Sequence, residues 1–299
     1  MRFGAPHMIR ILLLLTLLLA VAPAGWATEV PLLIAAYGPP PSEAGSRAVC
    51  EDGFAPTSFL ELPVSGPLEN ARSLERDDWA RAVVAQARVY RHVRTGRPTA
   101  DVLVFVHGYA VDRLRLAARL RGLRDDLTAA GYRGAVTALD WPSPPRAVPF
   151  TYLRDYYRAR RSAGRLVADC LDPLRRAAPP GVDLRLHVFA HSLGAAYVQA
   201  AFEGLSPCPG EPPRLENLIL VAGDVACSAL GRIPCCDLRP AAAHARRITT
   251  YGSVSDTLLQ LSTGIRLGME PRLGLGGPGP TLAGTQAVAV DGTLRYATL

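Results

Sequence analysis

Lysine is absent from this chain. All 33 basic residues are arginine, set against 26 acidic ones, for a formal net charge of +7. With alanine, glycine and proline abundant as well, this is the mark of a genome-wide base-composition bias. The arginines are scattered along helical faces and are not gathered in one stripe. A solvated surface is therefore the reading taken, over a basic patch for nucleic acid or an anionic membrane. No two cysteines stand at C-x-x-C spacing, which argues against a zinc site, and no cofactor motif, metal cluster or oligomerisation signal is found. Histidine is also missing where it will matter: His7, His92, His107, His187, His191 and His244 are the full set, and none follows Asp256.

A hydrophobic run long enough for a comfortable membrane span is lacking too. Ile11–Ala22 reads ILLLLTLLLAVA, shorter than the roughly 20 residues a span requires. Arg2 and Arg10 precede it, and the small residues of Ala22-Pro23-Ala24-Gly25-Trp26-Ala27 follow. That order describes a secretory signal peptide over 1–27, cut after Ala24 or Ala27, with an uncleaved anchor as the alternative. The mature chain is expected to be periplasmic or secreted, with no stable membrane span after cleavage. In that compartment Cys50, Cys170, Cys208, Cys227, Cys235 and Cys236 are free to form disulfides. Four of them fall within 208–236, where a stapled excursion is expected.

What is present is one sizeable α/β core. Residues 28–99 read as an N-terminal extension, rich in Pro, Gly and Ser to residue 69, with a short strand at Ser58–Leu62 and a helix over 70–91. Residues 100–299 read as a single domain. Val102–Val106 (VLVFV) is a short, continuous apolar run, the pattern of a strand buried on both faces, and Ala135–Leu139, Leu184–Ala190, Leu218–Ala222, Ile248–Tyr251 and Ala287–Val290 read as further strands. Helical patterns alternate with them. Asp112 is a candidate cap for the first and Gly131 its stop, and Tyr152–Ala177 is a long helix broken near Pro173. Such alternation implies right-handed βαβ units and a doubly wound, mostly parallel sheet.

The sharpest local signal is Ala190-His191-Ser192-Leu193-Gly194, set between an apolar strand and an apolar helix. This is the setting of a nucleophile elbow, in which a tight turn lifts a serine hydroxyl above the sheet at a helix N-terminus. There the N–H of Leu193 can meet a developing oxyanion. His107-Gly108-Tyr109 follows an earlier strand, and the N–H of Tyr109 is the second candidate oxyanion donor. The His107 side chain is read as a buried, hydrogen-bonded group that shapes this loop. An acid should follow a later strand: Asp256 is placed first, with Asp224 as the alternative.

These motifs resemble the α/β-hydrolase superfamily, and in particular a bacterial branch of uncharacterised esterase-like serine hydrolases. The resemblance rests on Val106-His107-Gly108-Tyr109, Asp140-Trp141-Pro142-Ser143, Tyr152-Leu153-Arg154-Asp155, the elbow, Ala222-Gly223-Asp224-Val225 and Ser255-Asp256. It implies an esterase or lipase with a Ser–Asp–His triad and a small-molecule or lipid-like acyl substrate. One departure stands out: the family pattern continues to a Gly-His pair after the last strand, and this chain has none. In other serine hydrolases, loss of that histidine costs on the order of a million-fold in turnover. Three accounts follow. His107 is the candidate for a recruited base, since His244 should sit at the far end of the sheet and His191 should point away from Ser192. A reading frame that ends early is the second, and a scaffold reused for binding is the third.

Overall fold

Runs too apolar for a half-exposed strand form the middle of a ten-stranded sheet. In β5 (Pro98–Val106), Val102, Val104 and Val106 enter the core on one face, while Leu103 and Phe105 enter the core on the other. β5 lies parallel to β6 (Ala135–Asp140) on one side and to β7 (Asp183–His191) on the other. Beyond β7 come β8 (Leu215–Val221), β9 (Ala245–Gly252) and β10 (Thr285–Ala289), all parallel. Beyond β6 lies β1 (Leu32–Tyr37), also parallel, and then β2 (Thr57–Leu62) and β3 (Arg72–Leu74) in antiparallel register. A short β4 (Tyr90–Arg91) pairs antiparallel with β5. The computed structural model describes residues 30–38, 54–63, 67–143, 151–204, 212–226, 238–265, 272–276 and 285–289.

Helices cover both faces, so the sheet is doubly wound. On one face α1 (Arg76–Gln86), α3 (Tyr152–Ser162), α4 (Asp172–Arg176), α5 (Gly194–Phe202) and α6 (Arg239–His244) supply Trp79, Val83, Ala159, Leu174, Val198 and Ala241 to the larger core. On the other, α2 (Arg113–Ala129) packs Leu116, Ala117 and Leu120 against Ile34, Leu60, Phe105 and Val136. The predicted ends of α2 are borne out by its caps. The Asp112 carboxylate accepts from the N–H of Arg115 at 2.8 Å. Gly131, at φ +86°, allows Tyr132 N–H to reach Leu127 O and its own N–H to reach Thr128 O, the paired bonds of a glycine-terminated helix.

Three expectations are corrected. Residues 28–99 are no separate extension. β1, β2 and β3 form one edge of the sheet, β1 pairing directly with β6, and Pro31–Leu299 group together as one unit. The helix expected over 70–91 is shorter, running from Arg76 to Gln86 with β3 before it and β4 after it, because its flanks gain more from sheet pairing than from another turn. The long helix from Tyr152 is interrupted earlier than Pro173 alone would require. After Ser162 it rewinds as a wide π-helical stretch, Leu166–Leu171, in which Asp172 N–H reaches back to Val167 O. Pro173 has no N–H to donate and its ring crowds the preceding turn, so the backbone widens ahead of it. Arg165 beside it is buried and holds Ala55 O at 2.6 Å, tying this stretch to the strand edge.

Cys170 lies inside the π-helical stretch, buried and unbridged, where desolvation pushes its thiol pKa up. The other five cysteines and residues 1–27, read above as a signal peptide, lie outside the described residues. Among the described residues no helix is long and apolar enough to cross a membrane.

Candidate active site

The chain leaves β5 toward one edge of the sheet and leaves β7 on the same side as its other neighbours, β8 to β10. A crevice therefore opens at the C-terminal ends of β5 and β7, the switch point where α/β sheets bind ligands. Ser192 stands at that point. Its φ is +52°, a conformation rare outside glycine, and it is held there by three backbone hydrogen bonds. Its N–H donates to Val221 O at 2.9 Å, and its C=O accepts from Ala195 N–H at 2.9 Å and Asp224 N–H at 3.0 Å. Conformations of this kind cost about 1–3 kcal/mol and persist only where the surroundings enforce them. Two further non-glycine residues with positive φ, Ala110 and Ala222, lie just beyond the ends of β5 and β8. Strain is thus gathered around this crevice.

The small residues of the elbow have separate reasons. A Cβ on Gly194 would fall 2.5 Å from Val106 O and 2.7 Å from His107 O. Ala190, where the motif usually has glycine, turns its methyl into the larger core and is fully buried. Leu193 opens α5, and among the described residues its N–H makes no hydrogen bond. That donor is available to an oxyanion.

The facing loop is locked from beneath. His107 is fully buried, its ring stacked 5.1 Å from that of Trp141. Its Nδ1 donates to Gly108 O at 2.9 Å. Its Nε2 lies 3.2 Å from both Trp141 N–H and Asp140 Oδ1, and Trp141 Nε1 donates to His107 O at 2.8 Å. The C=O and N–H of a trans peptide point opposite ways, so fixing Gly108 O also fixes the direction of Tyr109 N–H. A Cβ on Gly108 would come within 2.9 Å of Ser192 Cβ, which shows how closely this loop rests on the elbow. The shaping role read for the His107 side chain fits this geometry. Its candidacy as a base does not, because both ring nitrogens are engaged away from Ser192.

The two candidate acids differ sharply. Asp224 is buried, its Oδ1 accepting from Ser262 Oγ at 2.7 Å and its Oδ2 from Tyr152 Oη. Arg272 Nε, also buried, lies 3.8 Å from Oδ1. Asp256 is partly exposed and caps α7 (Thr257–Ile265), Oδ1 accepting from Leu258 N–H and Leu259 N–H at 3.0 Å each. Among the described residues its Oδ2 has no partner, and no bond links it to Ser192. Tyr152, Ser262 and Arg272 were not expected as partners of Asp224. Only Tyr152 stood in a motif, and nothing in the sequence paired the three.

The remaining histidines are dispersed. His244 packs on Phe202 ahead of β9, as expected, and His92 sits in the exposed turn before Thr95. His187 bonds Asp101 at 3.0 Å near the N-terminal half of β7. His191 lies beside Ser192, where burial pushes its pKa down to about 4, with the Arg119 guanidinium and His107 acting the same way. A neutral ring in the fold and a pKa near 6.5 in the unfolded chain place its contribution above pH 6.5, to be lost as pH falls toward 4. At 1.36 kcal/mol per unit, the part of that linkage falling between pH 7 and pH 4.5 is worth about 2–3 kcal/mol. Denaturant unfolding of His191→Gln at pH 7 and pH 4.5 should show a pH dependence flatter than wild type by this amount. Parallel curves would mean that the ring is not desolvated.

A family model described as "Alpha/beta hydrolase of unknown function (DUF900)" matches residues 82–279. Among solved structures, the chain is similar to a lipase-esterase related protein from Clostridium acetobutylicum at 11% identity, covering 63% of this chain and 84% of that one, with a TM-score of 0.33. It is similar to carboxyl esterase 2 from Tuber melanosporum at 13% identity, covering 81% and 74%, with a TM-score of 0.35. No curated protein matches the chain.

Proposed function

The chain belongs to the DUF900 family of α/β hydrolases, and on that premise we propose that it is an exported serine hydrolase acting on ester or thioester bonds. The observation that carries this reading is Ser192 itself, held at φ +52° at the switch point with the unbonded N–H of Leu193 beside it. In the proposed reaction Ser192 Oγ attacks the acyl carbon, and the charge that develops on the acyl oxygen is met by Leu193 N–H and Tyr109 N–H. The alcohol or thiol leaves with a proton, and water then cleaves the acyl-enzyme. His107 acts as a positioning residue, holding the peptide that presents Tyr109 N–H. Asp256 is the proposed acid, since its Oδ2 is still open to orient a base, whereas both oxygens of Asp224 are engaged.

A second reading has an observation in its favour. Among the described residues Ser192 Oγ makes no hydrogen bond, and no histidine nitrogen meets it. A non-catalytic envelope protein that binds a ligand or partner in the same crevice would need neither. A fluorophosphonate probe separates the two. Wild type should label covalently, and Ser192→Ala should show background only. Equal signals from the two proteins would end the enzyme reading and leave the binding one.

A further inference from the structure

Eight large hydrophobic side chains are exposed among the described residues, and five of them belong to two neighbouring segments: Leu153 and Tyr157 on α3, and Val254, Leu258 and Leu261 on or just before α7. They are 42% to 71% exposed. The two helices are joined at the crevice. Tyr152 Oη meets Ser262 Oγ at 2.9 Å, both bond Asp224, and Asp224 N–H bonds Ser192 O. Leu153 follows Tyr152 directly, and Leu258 and Leu261 lie within the last turn before Ser262.

The charges around these side chains are one-sided. Leu153 and Tyr157 are four apart on α3, and so are Arg154 and Arg158 beside them, their side chains 56% and 42% exposed. Arg161 continues the exposed positive row. The acid between them, Asp155, is fully buried and lies 3.6 Å from Arg154 Nε and 3.9 Å from Arg158 Nη1, so one carboxylate beneath the surface stands against three arginines upon it. α7 carries no charged residue, and Asp256 at its start is turned into the cap. An exposed apolar face bordered by arginine is the pattern of an element that lies in a lipid interface.

We propose that the exposed faces of α3 and α7 dock the protein on an anionic lipid bilayer, with the crevice at Ser192 opening beside the lipid. Arg154, Arg158 and Arg161 meet the headgroups, and Leu153, Tyr157, Val254, Leu258 and Leu261 enter the acyl boundary. This revises the reading of the arginines as a uniformly solvated surface: on α3 they are a local row beside an apolar one. Docking rests on the two helices alone; that the bilayer holds the acyl substrate rests on the serine-hydrolase reading.

Vesicle flotation of the mature chain tests the proposal, using phosphatidylcholine vesicles with and without phosphatidylglycerol. Wild type should float with the phosphatidylglycerol vesicles and remain behind with phosphatidylcholine alone. Leu258→Ser combined with Leu261→Ser should weaken binding by about tenfold or more, and Arg154→Gln with Arg158→Gln by a similar factor. Val93→Ser, a change at a still more exposed apolar residue in the turn before β5 at the opposite end of the sheet, should bind like wild type. Ser192→Ala should also float normally, so a failure of probe labelling and a failure of docking are read separately. The proposal is overturned by absence of flotation, by equal binding to both vesicles, or by leucine variants that bind as wild type does. It is equally overturned if size exclusion shows a self-associated form that the leucine variants abolish, since a second copy would then cover this face.

Discussion

Gly194→Ala should be among the most damaging small substitutions in this chain, lowering stability by about 3 kcal/mol or more. The added methyl has no flexible neighbour to displace. It would sit 2.5 Å from Val106 O and 2.7 Å from His107 O, both backbone atoms at the end of β5. That strand is held on both sides by β6 and β7, and His107 O is also the acceptor for Trp141 Nε1. Relief requires the elbow and the facing loop to separate, which opens the crevice and frees the peptide that carries Tyr109 N–H. A melting temperature lower by roughly 6–10 °C is expected. Gly122→Ala is the control. A Cβ there meets nothing within 4 Å in the interior of α2, so the change should raise stability by about 0.5–1 kcal/mol. If Gly194→Ala melts with wild type, the close approach of the two loops is wrong.

Asp224→Ala should cost about 3–5 kcal/mol, the range for removing one partner from a buried charged cluster. The deletion strands the hydroxyls of Tyr152 and Ser262 and leaves the buried Arg272 guanidinium without its carboxylate. It also releases α3 and α7, which keep only the Tyr152 Oη–Ser262 Oγ bond between them, from the loop beside Ser192. Asp256→Ala removes only a helix cap and should cost about 1 kcal/mol. Denaturant unfolding of the two variants, side by side, gives this ordering directly. Equal losses would mean that the Asp224 cluster is not the joint described here. The same pair bears on the proposed acid, since Asp256→Ala should slow probe labelling in a protein that remains folded.

The parts of this fold that were legible in the sequence are those that local chemistry decides. β5 is buried on both faces and so reads as an unbroken apolar run over Val102–Val106. Asp112 and Gly131 mark the ends of α2 because only such residues satisfy the end amides and carbonyls there. The elbow was visible because strand, tight turn and helix follow one another within a few residues. β1 was missed although Leu32–Tyr37 is apolar, since it stands just after the stretch read as a signal peptide, among Pro and Gly, and gains its identity only by pairing with β6. The Asp224 cluster was invisible for a related reason: Tyr152 and Ser262 reach it from 72 and 38 residues away. The preference between Asp224 and Asp256 rested on strand order alone, and no sequence pattern tells a buried carboxylate from a cap.

The sealed thiol of Cys170 imposes a parity on the whole chain. Six cysteines could in principle close three bridges, but Cys170 is buried and unbridged in the π-helical stretch. Five remain, and an odd set cannot pair completely within one molecule. At most two internal bridges can form among them, and one sulfur is always left over. In the oxidising compartment that the proposed export implies, that sulfur is the natural point of attachment for a small thiol or another chain, so the packing of a single core residue sets the redox valence of the protein.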